Sequence, residues 1–223
     1  AIANFADPVV SACAPRGSTS FGTSSSDFRV ESGCLVWKEQ EVLEVSRLKR
    51  SLPHDLLNAQ AALAVALSFG ATIEGCVKAL SDFVGLEHRV SLIGEVNGVR
   101  FIDDSKATTP HATVAAMSGF PEAVLIAGGR NKNLDLSELL KAKPQAVVAI
   151  GESSKEIAEI FKNVCKATIA DSMSEAVHTS AELAGTGGTV LLSPGCTSFD
   201  WYASYKERGQ DFLRAVELLR SKK

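Results

Sequence analysis

The sequence predicts an α/β protein whose larger, carboxyl-terminal part is a doubly wound, mostly parallel sheet covered by helices on both faces, preceded by a smaller, partial α/β segment. Three observations predict it. Short apolar runs such as Val124-Leu125-Ile126-Ala127 and Val147-Val148-Ala149-Ile150 read as strands buried on both sides. They alternate with segments of helical period, and the connectors between them are only a few residues long, as expected for strands joined by crossover helices.

Taken in chain order, residues up to about Val45 alternate short apolar runs with Gly/Ser-rich turns. Residues 16–27 are the most loop-like, and 28–30 and 34–37 read as short strands. Residues 55–67 are dense in Ala and Leu with a helical period and stop at Gly70. A second helix fits 73–83. Beyond His88-Arg89, strands fit 90–96, 99–102, 123–127, 146–150, 167–169 and 189–192, with helices at 110–117, 136–140, 154–161, 173–183 and 201–220. In such a sheet the ligand lies beyond the carboxyl ends of the strands, which directs attention to the loops after Ile102, Ala127 and Leu192.

Bulk properties narrow the function classes. A chain of 223 residues with 45% hydrophobic and 22% charged residues buries a substantial core as one large domain or two small ones. A net charge of -3 with mixed signs offers no field to gather nucleic acid or an anionic membrane, so neither is an expected partner. The five cysteines lack metal-ligand spacing and leave at least one thiol unpaired, which points to a reducing cytoplasm and to no protein-bound metal. No apolar run reaches the roughly 18 to 20 residues that span a bilayer, and the first residues lack a signal-peptide pattern. The chain also lacks an initiator Met, as expected of a sequence that begins inside a longer gene product.

The three loops carry the chemistry. After Ile102 comes Asp103-Asp104-Ser105-Lys106-Ala107-Thr108-Thr109-Pro110, in which Pro110 suits the first turn of a helix. Carboxylates suit ribose hydroxyls, a lysine suits phosphate and a threonine suits a substrate oxygen; a plain capped turn explains the same residues. After Ala127 comes Gly128-Gly129-Arg130-Asn131-Lys132, a flexible backbone with two cations that suits a carboxylate or phosphate, or a simple turn. After Leu192 comes Ser193-Pro194-Gly195-Cys196-Thr197-Ser198-Phe199-Asp200, read as entering a long helix, so that Ser198 and the Phe199 amide sit at a positive helix end suited to an anion. The alternatives are a simple cap and, for Cys196, a buried filler. A GxxxxGK[ST] phosphate loop is absent throughout.

Four blocks in order resemble the Mur ligases: Leu52-Pro53-His54-Asp55 with Asn58, His88-Arg89 leading to Asp103-Asp104-Ser105-Lys106-Ala107-Thr108, Gly128-Gly129-Arg130-Asn131-Lys132, and Ser193 to Asp200 with Tyr205-Lys206-Glu207-Arg208-Gly209. The closing block and the D-S-K-A-T run are most similar to the D-glutamate-adding member. The resemblance implies that residues 1–88 are the end of the family's central ATP-binding domain and that 89–223 are its Rossmann-like carboxyl-terminal domain. It implies an ATP- and Mg²⁺-dependent activity in peptidoglycan synthesis that joins D-glutamate to UDP-N-acetylmuramoyl-L-alanine through an acyl phosphate, in a cytoplasmic monomer. Asn58 would approach adenine, Arg89 and Lys106 the phosphates as catalytic cations, and Asp104 the ribose. Thr108, Lys132, Ser198, Phe199 and Tyr205 would form the D-glutamate pocket.

The pattern departs from the family at four positions. Asp55 follows His54 where Asn is usual, Thr109 and Gly195 stand where Asn and Ala are common, and Tyr205 fills a position often held by Phe. The family's phosphate loop, Mg²⁺ ligands and modified lysine are expected upstream of Ala1, so the chain alone is expected to be inactive. Two further readings stay open: another Mur or folylpolyglutamate-type ligase, and a non-catalytic module that binds a nucleotide or amino acid.

Overall fold

The computed structural model describes residues 1–221, which divide into two compact units, 1–85 and 86 onward. The first unit holds a five-stranded sheet in the order β1-β2-β3-β4-β5, formed by Ile2–Asn4, Thr19–Phe21, Phe28–Glu31, Cys34–Trp37 and Gln40–Glu44. The first three strands run parallel and the last three form an antiparallel meander. Ser32-Gly33 closes the β3–β4 hairpin with φ of 49° and 80°, the two left-handed residues that match the right-handed twist of a hairpin. Helices α2 (Pro53–Ser68) and α3 (Ile73–Asp82) follow. Leu63 and Ala64 of α2 and Cys76 of α3 pack with Phe28, Leu35 and Leu43 of the sheet into one core.

The sequence reading places no helix before Asp55, yet Pro8–Cys13 forms α1. Asp7 caps it by accepting from the amides of Val9 and Val10, and Pro8 supplies a φ already suited to the first turn. None of its six residues is buried, so no apolar period marks it in the sequence.

The second unit is a six-stranded sheet ordered β10-β9-β8-β11-β7-β6. Its strands are β6 (Ser91–Val96), β7 (Val99–Asp103), β8 (Val124–Gly128), β9 (Ala146–Ile150), β10 (Lys166–Ala170) and β11 (Thr189–Gly195). All pair in parallel except the edge strand β6, which is antiparallel to β7 across an Asn97-Gly98 hairpin. The helices are α4 (Pro110–Met117), α5 (Ser154–Phe161), α6 (Met173–Ala184) and α7 (Tyr205–Ser221).

Alternate strand residues serve the two faces. Val124, Ile126, Val148, Val190 and Leu192 pack against Met173 and Val177 of α6 and Phe212 and Val216 of α7. Leu125, Ala127, Val147 and Leu191 pack against Met117, Leu139, Ile157 and Phe161 on the other side. The predicted doubly wound sheet is therefore present, with central strands buried on both faces. Burying a large aliphatic or aromatic side chain contributes about 1.5 to 3 kcal/mol, so these two layers hold the strand ends that carry the loops.

Two elements of the second unit differ from expectation. Residues 136–142 form a 3-10 helix that ends where Lys143 turns left-handed at φ 48°. The last helix begins at Tyr205 and not at Trp201. Ser204 Oγ accepts from the Glu207 amide at 3.2 Å while Glu207 Oε2 accepts from the Ala203 amide at 3.1 Å, a reciprocal cap that fixes the helix start there.

Candidate functional site

Strand β11 lies between β7 and β8, so the carboxyl ends of these three strands stand side by side at the point where the strand order reverses, the position at which open α/β sheets bind ligands. Each end runs into one of the three loops.

In the loop after β7, Asp103 Oδ1 accepts from the Ser105 amide at 2.8 Å, and Asp103 Oδ2 lies 2.6 Å from His88 Nδ1. Asp104 is turned inward. Its amide donates to Leu192 O, and its Oδ2 accepts from Ser193 Oγ at 2.8 Å. Burial pushes its pKa up to about 7, with Asp103 adding to the rise while hydrogen bonds from Ser193 and the Val90 amide, and the charge of Arg89, oppose it. Val90 presents that amide from φ 51°, a left-handed conformation that β-branched residues rarely adopt. Lys106 donates its amide to His88 O at 3.0 Å and rests its ammonium 4.3 Å from the centre of the Tyr205 ring.

In the loop after β8, Gly128 and Gly129 take φ of 133° and 124°, and a Cβ on them would stand 2.0 Å from Ile150 O and 2.1 Å from Thr197 O. The glycines therefore allow backbone to approach backbone. Arg130 and Thr197 exchange both main-chain hydrogen bonds at 3.0 Å, which ties this loop to the one after β11. The Arg130 guanidinium is held by Glu152 at 2.6 Å, which raises the arginine pKa and lowers that of the glutamate. Lys132 is exposed and makes no ion pair among the described residues.

In the loop after β11, residues 193–198 are buried and Phe199 is exposed. Thr113 Oγ1 donates to Ser193 O, and Asp200 Oδ2 accepts from the Glu152 amide. Cys196 is enclosed, and burial pushes its thiol up to about 11, so at neutral pH it is a protonated filler and not a nucleophile.

One buried cation joins the loops. Arg208, 1% exposed, donates through Nε to Ser105 Oγ at 3.0 Å and through its terminal nitrogens to Ser105 O, Cys196 O and Gly128 O at 2.8, 3.1 and 3.5 Å. Ser105 Oγ donates onward to Tyr205 O at 2.7 Å. The planar guanidinium fork thereby reaches the ends of β7, β8 and β11 at once.

Residues 88–196 match the family described as "Mur ligase, glutamate ligase domain". Proteins called UDP-N-acetylmuramoylalanine--D-glutamate ligase are 34% identical over 198 residues in Aquifex aeolicus, covering 86% of this chain and 48% of that protein. In Desulfosudis oleivorans one is 38% identical over 206 residues, covering 91% and 45%. The chain belongs to the Mur ligase family. It spans about half the length of the curated relatives it matches. Among solved structures, MurF ligase of Thermotoga maritima in complex with ADP superposes with a TM-score of 0.65 at 20% identity, covering 100% of this chain and 54% of that one. A pseudomurein peptide ligase type C from Methanothermus fervidus gives 0.70 at 12% identity, covering 98% and 56%. At these identities the two likenesses show the fold.

In this Mur ligase domain, Thr108, Lys132 and Ser198 stand on three loops at one end of the sheet, and Lys106 touches Tyr205. Arg89 is exposed, Asp104 is buried, and Asn58 is exposed on α2 of the other unit. One expectation is corrected. Ser198 and Phe199 do not sit at a helix amino end, because α7 starts at Tyr205; Ser198 O instead accepts from the amides of Trp201 and Tyr202 in a turn. The sequence reading names Arg208 and Ser193 within its closing block but gives neither a role in the site. Arginine is rarely fully buried, and spacing alone does not reveal it. Gly209, an interior helix glycine, does signal a close approach, and the groups that approach it are His88 and Asp103. Among the described residues no cluster of three His, Cys, Asp or Glu side chains is placed to hold a metal ion.

Proposed function

We propose that this chain supplies the acceptor side of an ATP-dependent amide ligase that adds D-glutamate to UDP-N-acetylmuramoyl-L-alanine in the peptidoglycan synthesis of a cytoplasm. The observation that carries the reading is the pinning of three strand-end loops onto Arg208, with Lys106 and Lys132 placed on two of those loops. A dianionic amino acid needs cations and hydroxyl donors for its carboxylates, and Lys132, Thr108 and Ser198 are of those types. The relatives, at 34 to 41% identity, carry the name of that reaction.

In this reading residues 1–88 end the central ATP-binding domain and 89–223 form the carboxyl-terminal domain of a monomer; the division of the chain at Gly85 and Leu86 supports a boundary there. The muramoyl-alanine carboxylate is activated as an acyl phosphate at the expense of ATP. The D-glutamate amine then attacks the acyl carbon, forming the C–N bond, expelling phosphate and releasing a proton. This chain's residues act by position and charge: Thr108, Lys132, Ser198, Phe199 and Tyr205 orient the acceptor, Arg89 and Lys106 neutralise phosphate oxygens, Asp104 takes ribose hydroxyls and Asn58 faces adenine. The donor set fits phosphate and carboxylate. It does not fit Mg²⁺, and no step through the metal is assigned to these residues.

The test is an NMR titration of the chain with D-glutamate and, separately, L-glutamate, following the amides of Thr108, Lys132 and Ser198. Saturable shifts with the D-enantiomer alone are expected. An equal response to both would replace this reading with a relative of different specificity or a generic anion site.

A further inference from the structure

The Lys106 ammonium lies 4.3 Å from the centroid of the Tyr205 ring, well within the distance at which a cation is drawn to the negative face of an aromatic ring. Both partners are held in place by other contacts. Ser105 Oγ donates to Tyr205 O and fixes the first turn of α7 beside the loop. The His88 ring meets the Tyr205 ring edge-on, with centroids 6.1 Å apart and an interplanar angle of 82°. Lys106 is anchored to His88 O through its amide, and His88 is anchored to Asp103 at 2.6 Å. Ring and ammonium are thus set by one circuit of contacts through Ser105 and His88. The Tyr205 hydroxyl makes no hydrogen bond among the described residues, so the ring is the part of the side chain that the circuit uses.

A lysine ammonium sits on a flexible four-carbon stem, and its three donors must be aimed before they can serve an anion. A cation resting on a ring face engages that face with one side only. Its donors on the other sides stay available.

We propose that Tyr205 is a positioning residue for Lys106: its ring holds the ammonium at one place beside the strand-end loops, where the remaining donors meet an oxygen of a nucleotide phosphate. The phosphate half of this statement rests on the proposed function, whereas the ring contact does not. The assignment is additional to the place of Tyr205 in the proposed amino-acid pocket, which a titration with ADP alone does not probe. It predicts that Phe replaces Tyr205 and that an aliphatic residue of similar bulk does not.

The experiment uses the isotopically labelled 223-residue chain, with the Lys106 ε-methylene signals assigned by their loss in Lys106→Met. Protons over a ring face shift upfield. The shift is expected in the wild type and in Tyr205→Phe and is expected to be lost in Tyr205→Leu, with the Ser105 and His88 amide signals retained as evidence of an intact fold. Titration with ADP, read at Lys106, is expected to give roughly two- to thirtyfold weaker binding in Tyr205→Leu and no change in Tyr205→Phe, the range that cation–π contacts of ordinary strength produce. Unchanged Lys106 signals in Tyr205→Leu would overturn the proposal, as would unchanged ADP affinity once the ring shift is gone. Absence of any ADP response at Lys106 in the wild type would overturn the phosphate assignment instead, and the ring shift would register that case separately.

Discussion

Arg208 Nε donates to Ser105 Oγ at 3.0 Å, and the same guanidinium donates to Ser105 O at 2.8 Å, so that one side chain of α7 clasps one residue of the loop after β7 by both backbone and hydroxyl. Its other nitrogen reaches Cys196 O and Gly128 O. No carboxylate pairs with Arg208 among the described residues, and burial lowers its pKa to about 10, which still leaves it charged at neutral pH. A buried charge is costly to leave uncompensated, and here the nearby charges of Asp200 and Asp103 together with carbonyl dipoles of three loops oppose the cost.

Replacing Arg208 by Met is therefore expected to destabilise the second unit by roughly 3 kcal/mol, since several buried carbonyls lose their donor together. Ser105→Ala should cost about 1 to 2 kcal/mol. Because both substitutions break the same bond, the double variant should cost less than the sum. Urea unfolding of the four proteins measures this, and strict additivity would show that the two residues are not coupled.

Gly209 gives a prediction of sign. Ala in place of Gly inside a helix ordinarily stabilises by about 0.5 to 1 kcal/mol. Here a Cβ would stand 2.2 Å from His88 Nδ1 and 2.8 Å from Asp103 Oδ2, two atoms that hold each other. Gly209→Ala is expected to destabilise by about 1 to 3 kcal/mol, the ordinary cost of overpacking. Adding His88→Ala should recover part of the loss, as thermal or urea unfolding would reveal.

Asp104 makes stability depend on pH. Its folded pKa is raised to about 7 from 3.8, so between those values the folded state binds a proton that the unfolded state has lost. The stabilisation is fully present below about pH 4 and is lost as pH rises through 7. Asp104→Asn cannot ionise and keeps an acceptor for Ser193. Its stability relative to wild type should therefore rise between pH 5 and pH 8, by on the order of 1 to 3 kcal/mol. Denaturant midpoints at the two pH values decide it; an unchanged difference would mean that Asp104 titrates normally.

Local chemistry explains how much of this was legible in the sequence. The strands of the second unit were readable because Leu125, Ile126, Val147 and Val148 are buried on both faces and leave an unbroken apolar run. Helix α1 was not, because its six residues bury nothing and only Asp7-Pro8 marks it. The start of α7 was placed four residues early, at Trp201, although Ser204 and Glu207 carry the S-x-x-E signature of a capped start. That one displacement moved Ser198 to a helix end it does not occupy. The loops were located correctly because strand ends locate them, whereas the burial of Arg208 was not legible because carbonyls far apart in the chain, at Ser105, Gly128 and Cys196, hold it.

The two cations of the loop after β8 separate cleanly. By residue type alone Arg130 and Lys132 are equal candidates for an anion, and the family resemblance selects Lys132. In the structure Arg130 is committed to Glu152, by Nε at 3.0 Å and a terminal nitrogen at 2.6 Å, while Lys132 has no ion pair among the described residues. An exposed ion pair is worth little to stability, so neither substitution should unfold the chain. For binding they differ. If the loop takes a carboxylate of D-glutamate, Lys132→Met removes a charge-assisted hydrogen bond and should weaken binding roughly ten- to hundredfold, whereas Arg130→Met should change it less than about threefold. The comparison is made by D-glutamate titration of both variants with unfolding midpoints measured alongside. Equal losses would show that Arg130 leaves Glu152 to bind the acceptor, and no loss in Lys132→Met would remove this loop from the pocket.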